Sequence, residues 1–198
     1  MAKVRANEEL GRGQRKTCVQ SFAKVAVKEV VKKDLLLKYD PEAGYLGTGV
    51  SGDTVATLSP FDRILVLRHN GTYRVFSELP EKTFIGPGAW WIGLADKEVL
   101  SSLVFTLIYK EEKTGSPWIK RCIIEGWIMN KEYSLVPSGA TVLHLDTRPQ
   151  FAFTAYYAPQ PRTRTQKGAF KAQDYPVKGL KTVGIKLADR VVERLEVP

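Results

Sequence analysis

The sequence predicts an all-β protein. From about residue 22 onward, short runs rich in Val, Ile, Leu and aromatic residues alternate with turn-forming Gly, Pro, Asn and Asp, as is typical of successive β-strands. Residues 64–67 and 72–76 flank Asn70-Gly71, the signature of a tight β-hairpin, because both turn positions tolerate positive φ. Helical spacing is rare along the chain.

Three further pairs of runs predict hairpins by the same rule. They are residues 34–39 with 45–46, 103–109 with 118–124, and 141–145 with 151–154. The four predicted hairpins begin near residues 34, 62, 103 and 141, at intervals of 28, 41 and 38 residues. Intervals of this size favour a bladed architecture slightly over a single β-sandwich, which gives similar spacing. A closing strand is predicted near Val191-Val192. Trp90 and Trp91 are adjacent and would point to opposite faces of a strand, so at least one of them is expected to pack in the core or between blades. Stacking on nucleic-acid bases is the alternative.

The charge of the chain is positive and unevenly distributed. Its 30 Lys and Arg exceed its 21 Asp and Glu by nine. Residues 1–33 have a net charge of +6, residues 34–159 of −2 and residues 160–198 of +5. A near-neutral body with two basic ends indicates a localised anionic partner, nucleic acid before membrane. Solvated basic tails are the alternative.

Several classes of function are excluded. The longest apolar runs, such as residues 103–109, are far shorter than the roughly 20 residues of a membrane-spanning helix. Cys18 and Cys122 are the only cysteines, which allows neither a disulfide framework nor a zinc cluster and fits a reduced, cytoplasmic setting. His69 and His144 are too few for a multi-histidine metal site, and no nucleotide-binding loop or nucleophile elbow is present.

Six sequence motifs carry a resemblance to a known family. Five of them are DLLLKYDPEAGYLGTG at 34–49, ILVLRHNGTYRV at 64–75, EKTFIG at 81–86, SPWIKR at 116–121 and MNKEYS at 129–134. In this order they resemble the C-terminal domain of the A subunit of bacterial type IIA DNA topoisomerases. The sixth, GRGQRKT at 11–17, is similar to the exit from the breakage–reunion core of topoisomerase IV. The resemblance covers roughly residues 11–150.

This resemblance implies a β-pinwheel, a propeller-like disc of Greek-key blades whose basic outer rim binds and bends duplex DNA. At about 40–50 residues per blade the chain allows about four blades, in a disc that is shorter than the six-bladed disc of gyrase and can remain open. Residues 1–21 would form a basic linker and residues 22–198 the pinwheel domain. The gyrase protein of this family carries a Gln-Arg-Arg-Gly-Gly-Lys-Gly box for chiral wrapping. Its absence here favours the topoisomerase IV type.

The resemblance also implies that this chain is not an enzyme on its own, because the family's catalytic tyrosine lies in a separate core. No cofactor is expected in the domain, whereas the parent enzyme would use ATP and Mg²⁺ elsewhere. The expected partners are duplex DNA, the parent enzyme's catalytic core and its ATPase B subunit, in the cytoplasm at the nucleoid and not at a membrane. A propeller-like protein-interaction module with solvated basic ends is the alternative function.

The predicted DNA-binding residues are the basic side chains of the linker, of the strands and turns, and of the C-terminal basic segment. A flexible run of hydroxyls and cations, such as residues 162–167, suits phosphate contact without base readout. On a strand, Lys120 and Arg121 would point to opposite faces. The full set is Arg12, Arg15, Lys16, Lys38, Arg68, Arg74, Lys120, Arg121, Arg162, Arg164, Lys167, Lys171, Lys178 and Lys181.

Overall fold

The computed structural model describes residues 34–159 and 166–198. Almost all regular structure in this part of the chain is β-strand, which confirms the predicted fold class. One short helix, α1 (Lys97–Ser102), and one 3₁₀ turn (Ala172–Asp174) are also present. The strands are β1 (Leu35–Asp40), β2 (Tyr45–Gly47), β3 (Asp53–Leu58), β4 (Ile64–Arg68), β5 (Thr72–Phe76), β6 (Thr83–Phe84), β7 (Ala89–Leu94), β8 (Phe105–Lys110), β9 (Pro117–Cys122), β10 (Glu132–Ser134), β11 (Thr141–Asp146), β12 (Ala152–Tyr157), β13 (Lys167–Lys171), β14 (Ile185–Lys186) and β15 (Val192–Glu196).

These strands form four antiparallel sheets, which we call blades 1 to 4 in chain order. Blade 1 has the strand order β3-β1-β2-β6, blade 2 β10-β5-β4-β7, blade 3 β11-β8-β9-β14 and blade 4 β13-β12-β15. Four sheets of three or four strands are consistent with a β-pinwheel and match the predicted number of blades. The predicted linker, residues 1–21, and the first residues of the predicted domain, 22–33, lie outside the described residues.

Each blade is built on a hairpin, and three of them are completed by a strand from further along the chain. In blade 1, β1 pairs with β2 and β3. The fourth strand, β6, lies in the chain between β5 and β7 of blade 2 but pairs with β2. In the same way β10 completes blade 2 and β14 completes blade 3. We call β6, β10 and β14 straps. In the described part of the chain blade 4 has no strap.

The blades pack face to face in chain order, with buried apolar side chains between them. Ile64 and Val66 of β4 face blade 1, whereas Leu65 and Leu67 face blade 3. Because β4 is buried on both faces, its sequence is a continuous apolar run rather than an alternating one. Blades 3 and 4 meet at a third buried cluster, which consists of Ile108, Ile119, Phe151, Phe153 and Ala172.

The hairpin predicted at Asn70-Gly71 is confirmed, as are the hairpins β1–β2 and β8–β9. Asn70 Oδ1 accepts hydrogen bonds from the backbone N–H and the Oγ1 of Thr72, at 3.0 and 2.8 Å. Gly71 has φ +80°, and a Cβ there would lie 3.2 Å from Cγ2 of Val142. Glycine therefore meets both the backbone conformation and the space that this turn requires.

The fourth predicted hairpin is wrong in its pairing. Residues 141–145 and 151–154 do lie in strands, but β11 pairs with β8 in blade 3, whereas β12 pairs with β13 and β15 in blade 4. The turn residues between them therefore connect two blades. No sequence pattern indicated α1, which Asp96 caps by accepting a hydrogen bond from the N–H of Glu98 at 3.0 Å. The strand predicted near Val191-Val192 is present as β15, which pairs with β12. Trp90 and Trp91 both pack against the cluster between blades 2 and 3.

Candidate nucleic-acid interface

The predicted DNA-binding residues fall into three groups. The first group lies outside the described residues: Arg12, Arg15, Lys16, Arg162 and Arg164. The second group donates hydrogen bonds to backbone carbonyls between blades: Arg68, Lys120 and Arg121. The third group is exposed or half-exposed on the blades: Lys38, Arg74, Lys167, Lys171, Lys178 and Lys181.

Lys120 and Arg121, which were predicted to contact DNA, are buried. They are only 3% and 8% exposed, and they do point to opposite faces of β9, as predicted. Each donates to two backbone carbonyls. Burial lowers the pKa of both groups, and the Cys122 thiol partly offsets this effect at Lys120. Side chains held in this way are not available to a phosphate at the surface.

Arg68 and Arg74 lie beside the same carboxylate on blade 2. Arg68 is half-exposed; one of its Nη atoms donates to the carbonyl of Ile85, and the other lies 4.0 Å from Oε1 of Glu132. Arg74 is exposed, stands directly opposite Glu132 in the strand register, and holds its guanidinium 5.9 Å from the centre of the Phe76 ring. Glu132 therefore offsets part of the positive charge of this group.

Three predicted cations lie apart from one another. Lys38 is half-exposed on β1, on the same side of blade 1 as the exposed Leu36. Lys178 and Lys181 are exposed in the segment that leads to strap β14. The backbone N–H of Lys178 donates to the carbonyl of Arg121 at 2.8 Å, which places this segment against blade 3. These residues do not form a single cluster with those of blade 2.

Blade 4 brings two predicted cations together on one face. Lys167 of β13, Tyr156 of β12 and Arg194 of β15 stand directly opposite one another, so they form one row across the sheet. Lys171 lies on the same face, because residues four apart on a strand point the same way. The three cations are exposed. We call this surface the blade 4 face, and it comprises Ala152, Thr154, Tyr156, Lys167, Ala169, Lys171, Arg194 and Glu196.

The geometry of the blade 4 face suits an extended anion. Lys167 and Lys171 are about 13 Å apart along β13, and Lys167 and Arg194 are about 10 Å apart across the sheet. The opposite side of the sheet is apolar and packs into the protein. Lys167, Lys171 and Arg194 together with Glu196 give the face a net charge of +2. Two further exposed carboxylates, Glu193 and Asp174, lie at its margins. Such a surface can contact several phosphates while the core behind it stays intact.

Arg194 is held above the sheet by two interactions, and a third joins its two partners to each other. Its guanidinium lies 4.3 Å from the centre of the Tyr156 ring, and one Nη lies 3.0 Å from Oε1 of Glu196. The Tyr156 hydroxyl donates to Oε2 of Glu196 at 2.7 Å, and this hydrogen bond raises the pKa of Tyr156. The tyrosine and the carboxylate together fix the position of the arginine.

Sequence reasoning missed Arg194 and Tyr156. Alternation within residues 192–196 could have placed Arg194 and Glu196 on a polar side of their strand. Only the strand register shows that Lys167 lies on the same face of the sheet. Sequence reasoning also missed Lys82, whose Nζ lies 4.4 Å from the centre of the Tyr45 ring on blade 1. Both omissions concern cations that pair with an aromatic ring on another strand.

His144 has a structural role in a small polar cluster. Asp146 Oδ2 accepts hydrogen bonds from Nε and Nη2 of Arg148, at 2.9 and 2.7 Å, and lies 3.3 Å from Nε2 of His144. Burial alone would raise the pKa of Asp146, but these hydrogen bonds outweigh it and lower the pKa. Within the described ranges no group of three or more His, Cys, Asp or Glu could hold a metal ion.

No helix of the described residues has the length and apolar character needed to cross a membrane. Their charge is nearly balanced, with 19 Lys and Arg against 18 Asp and Glu. Most of the net charge of +9 therefore belongs to residues 1–33 and 160–165. The positive charge of the blade 4 face is a local feature and not part of a generally basic surface.

Known proteins share the sequence of this domain. The family described as topoisomerase C-terminal domain, Bacteroidota, matches residues 36–197, from β1 of blade 1 to the end of β15 in blade 4. The chain is also 27% identical over 124 residues to the A subunit of DNA topoisomerase 4 from Borreliella burgdorferi, an alignment that covers 62% of this chain and 20% of that protein. The match thus spans about a fifth of the length of this relative. The resemblance to a topoisomerase of the topoisomerase IV type is confirmed, and the chain belongs to the family of topoisomerase C-terminal domains of the Bacteroidota.

Proposed function

We propose that this domain binds and bends duplex DNA for a type IIA topoisomerase, and that the blade 4 face is one of its contact surfaces. The observation that carries the proposal is the row of Lys167, Tyr156 and Arg194 with Lys171 nearby, on an exposed face of a domain of this family. Lysine and arginine side chains neutralise phosphates and release condensed counterions. Contacts of this kind carry no base identity, so binding is independent of sequence.

The remaining exposed cations extend the contact over other blades. Lys38, Arg74, Lys178 and Lys181 lie on or beside blades 1, 2 and 3. A duplex that touched several blades would have to bend, at a cost on the order of 1–6 kcal/mol for a bend of 40–90°. Several phosphate contacts can offset that cost. Bending therefore follows from cations distributed over successive blades.

In this proposal the chain is the non-catalytic part of an ATP-dependent enzyme that passes one duplex through another. The catalytic tyrosine belongs to a separate core of the enzyme, and ATP and Mg²⁺ act in other parts of it. The partners of the domain are that core and the ATPase B subunit, in the cytoplasm at the nucleoid. The domain would guide the transported DNA segment toward the core.

A salt titration of DNA binding tests the proposal. If about six phosphates are neutralised, the logarithm of the binding constant for random-sequence duplex DNA falls with the logarithm of salt concentration with a slope of about −5. The affinity is the same for unrelated sequences of equal length. A slope near zero, or no binding at low salt, would refute the proposal.

A further inference from the structure

Two junctions between blades contain the same hydrogen-bonding arrangement. Arg68 of blade 2 donates to the carbonyl of Ile85, which directly follows strap β6 of blade 1. Lys120 of blade 3 donates to the carbonyl of Leu135, which directly follows strap β10 of blade 2, at 2.7 Å. In both cases a basic side chain of one blade holds the strap of the preceding blade.

The two carbonyls occupy equivalent positions in their blades. The N–H of Ile85 donates to the carbonyl of Gly44, and the N–H of Leu135 donates to the carbonyl of Gly71, both at 2.9 Å. Each glycine belongs to the hairpin turn of the blade that the strap completes. The residue after the strap is therefore bound by its N–H to its own blade and by its carbonyl to the next blade.

Arg121 forms the third junction, between blades 3 and 4. One Nη donates to the carbonyl of Tyr175 at 2.9 Å and the other to the carbonyl of Pro149 at 2.8 Å. Pro149 precedes β12 and Tyr175 follows the 3₁₀ turn after β13, so one guanidinium holds both sides of the blade 4 hairpin. Lys120 and Arg121 are adjacent in β9, so their side chains point to opposite faces of blade 3. Through them, β9 is bonded to blade 2 on one face and to blade 4 on the other.

These buried cations are paired with carbonyls rather than carboxylates. Lys120 also donates to the carbonyl of Leu180 at 2.6 Å, and no described carboxylate forms an ion pair with Lys120 or Arg121. A buried charge without a counter-ion is costly, whereas its hydrogen bonds are stronger than those of a neutral donor. Such an arrangement fixes two blades at a defined distance more tightly than apolar contact alone.

We propose that Lys120 and Arg121 are positioning residues that set the angle between blade 3 and its two neighbours, and through it the curvature of bound DNA. This inference rests on the proposed function for its DNA part. The two residues act through the blades and do not touch DNA. Their loss changes how well the exposed cations of different blades fit one duplex, but not the number of phosphates contacted.

Hydrogen exchange of the full chain tests the positioning without DNA. In Lys120→Met, amide exchange in residues 132–136 and 178–182 is expected to rise at least tenfold, while exchange in β1 to β3 of blade 1 stays unchanged. The matched control is Lys97→Met, at an exposed lysine of α1, which should change neither region. Unchanged exchange in residues 132–136, or an equal rise in all blades, would overturn the proposal.

DNA bending gives the second readout. An end-labelled duplex of about 30 base pairs reports the bend by energy transfer, and a salt titration reports the number of phosphates. Lys120→Met should reduce the bend and leave the salt slope unchanged. A slope that falls by about 0.9 would show a direct phosphate contact and overturn the positioning role. If the unmodified chain does not bind DNA, the proposed function fails, but the exchange experiment still decides the role of Lys120 in joining the blades.

Two further variants keep the test decisive if Lys120→Met does not fold. Lys120→Arg keeps the charge, and a cavity of about 240 Å³ beside Lys120, lined by Leu135 and Leu180 among others, has room for the longer side chain. Residues 132–136 of this variant should therefore be as well protected from exchange as in the unmodified chain. Arg121→Lys keeps the charge. A lysine has one side-chain nitrogen, whereas Arg121 uses two Nη atoms to donate to the separate carbonyls of Tyr175 and Pro149. This variant should increase exchange in residues 147–150 and 172–176 and leave 132–136 protected. Unchanged exchange in Arg121→Lys would overturn the proposal for the junction of blades 3 and 4.

Discussion

The blade 4 face can be tested by removing its three cations together, as Lys167→Gln, Lys171→Gln and Arg194→Gln. Glutamine keeps much of the length and polarity of the side chain but cannot neutralise a phosphate. Lys167 and Lys171 are exposed, and surface substitutions of this kind usually change stability by less than about 0.5 kcal/mol. Arg194 also loses its contacts with Tyr156 and Glu196, which adds up to roughly 1 kcal/mol. The variant should therefore remain folded.

The size of the effect follows from the number of contacts. Each phosphate contributes about 0.9 to the salt slope, so the loss of three contacts reduces the slope by about 2.7. At 0.15 M salt the same three contacts are worth about two powers of ten in affinity, so binding weakens about 150-fold if the affinity extrapolated to 1 M is unchanged. Because phosphates carry no sequence information, all duplexes should weaken alike.

Fluorescence anisotropy with a labelled duplex at several salt concentrations measures both quantities. The matched control is the triple change of Lys97, Lys110 and Lys113 to Gln, which removes the same charge from α1 and the β8–β9 hairpin. The control should keep most of the slope. Equal weakening by the two triples would show that the cations act as diffuse charge, and the assignment of an interface to blade 4 would then be wrong.

Three other outcomes are expected. Glu196→Gln removes the carboxylate that pairs with Arg194 on the blade 4 face and should tighten DNA binding about threefold, or roughly 0.6 kcal/mol, in a salt titration; weaker binding would show that Glu196 is needed to hold Arg194. The pKa of Tyr73 and of Tyr109 is about 12, mainly because both are buried, so the stability that each contributes is fully present below pH 10 and is lost as the pH rises from 10 to 12. Each loss is worth roughly 2–3 kcal/mol. The free energy of unfolding in urea should therefore fall less between pH 10 and pH 12 for Tyr109→Phe than for the unmodified chain, and an equal fall would contradict this. Because the Gly-Gly box of gyrase is missing, plasmid relaxed by a nicking-closing enzyme in the presence of this domain should keep its linking number nearly unchanged, and a strong positive shift would show that another segment wraps DNA.

The local structure was predictable because hairpins are encoded locally. The turn at Asn70-Gly71 is set by the positive φ of Gly71 and by the hydrogen bonds that Asn70 Oδ1 accepts from Thr72. The apolar run before it reflects burial on both faces of β4. The straps were not predictable in this way. β6 has only two residues and pairs with a strand 38 residues earlier, Tyr45 opposite Phe84 and Leu46 opposite Thr83. Nothing in a run of two residues specifies its partner, so the exchange of strands between blades had to come from the structure.

The pairing error at residues 141–154 has the same origin. Two apolar runs separated by a turn predict a hairpin, but in this fold the third strand of one blade is followed directly by the first strand of the next. Asp146 and Arg148 make hydrogen bonds within that connection, so it has the composition of a turn although it joins two sheets. Local turn signals cannot distinguish these cases, since both need polar residues and a change of direction.

Two of the predicted DNA-binding residues are buried, although their charge predicted exposure. Lys120 and Arg121 lie in a strand whose other residues are mostly apolar, and a lysine or arginine is rarely fully buried. Exposure was thus the better expectation from the sequence. The interior nevertheless holds these two charges, because the segments that connect the strands offer backbone carbonyls at the blade junctions. The buried cations are satisfied by these carbonyls.

This use of charge bears on where DNA can bind. Of the cations predicted to contact DNA in the described part, the two buried ones and the partly neutralised Arg68 serve the junctions. The described residues as a whole carry almost no net charge, so they cannot attract DNA as a uniformly basic surface would. In the proposed function, binding by the blades depends on faces where cations outnumber carboxylates. The blade 4 face has three cations, one of which, Arg194, is paired with Glu196. Removing all three cations together distinguishes a local interface from diffuse attraction.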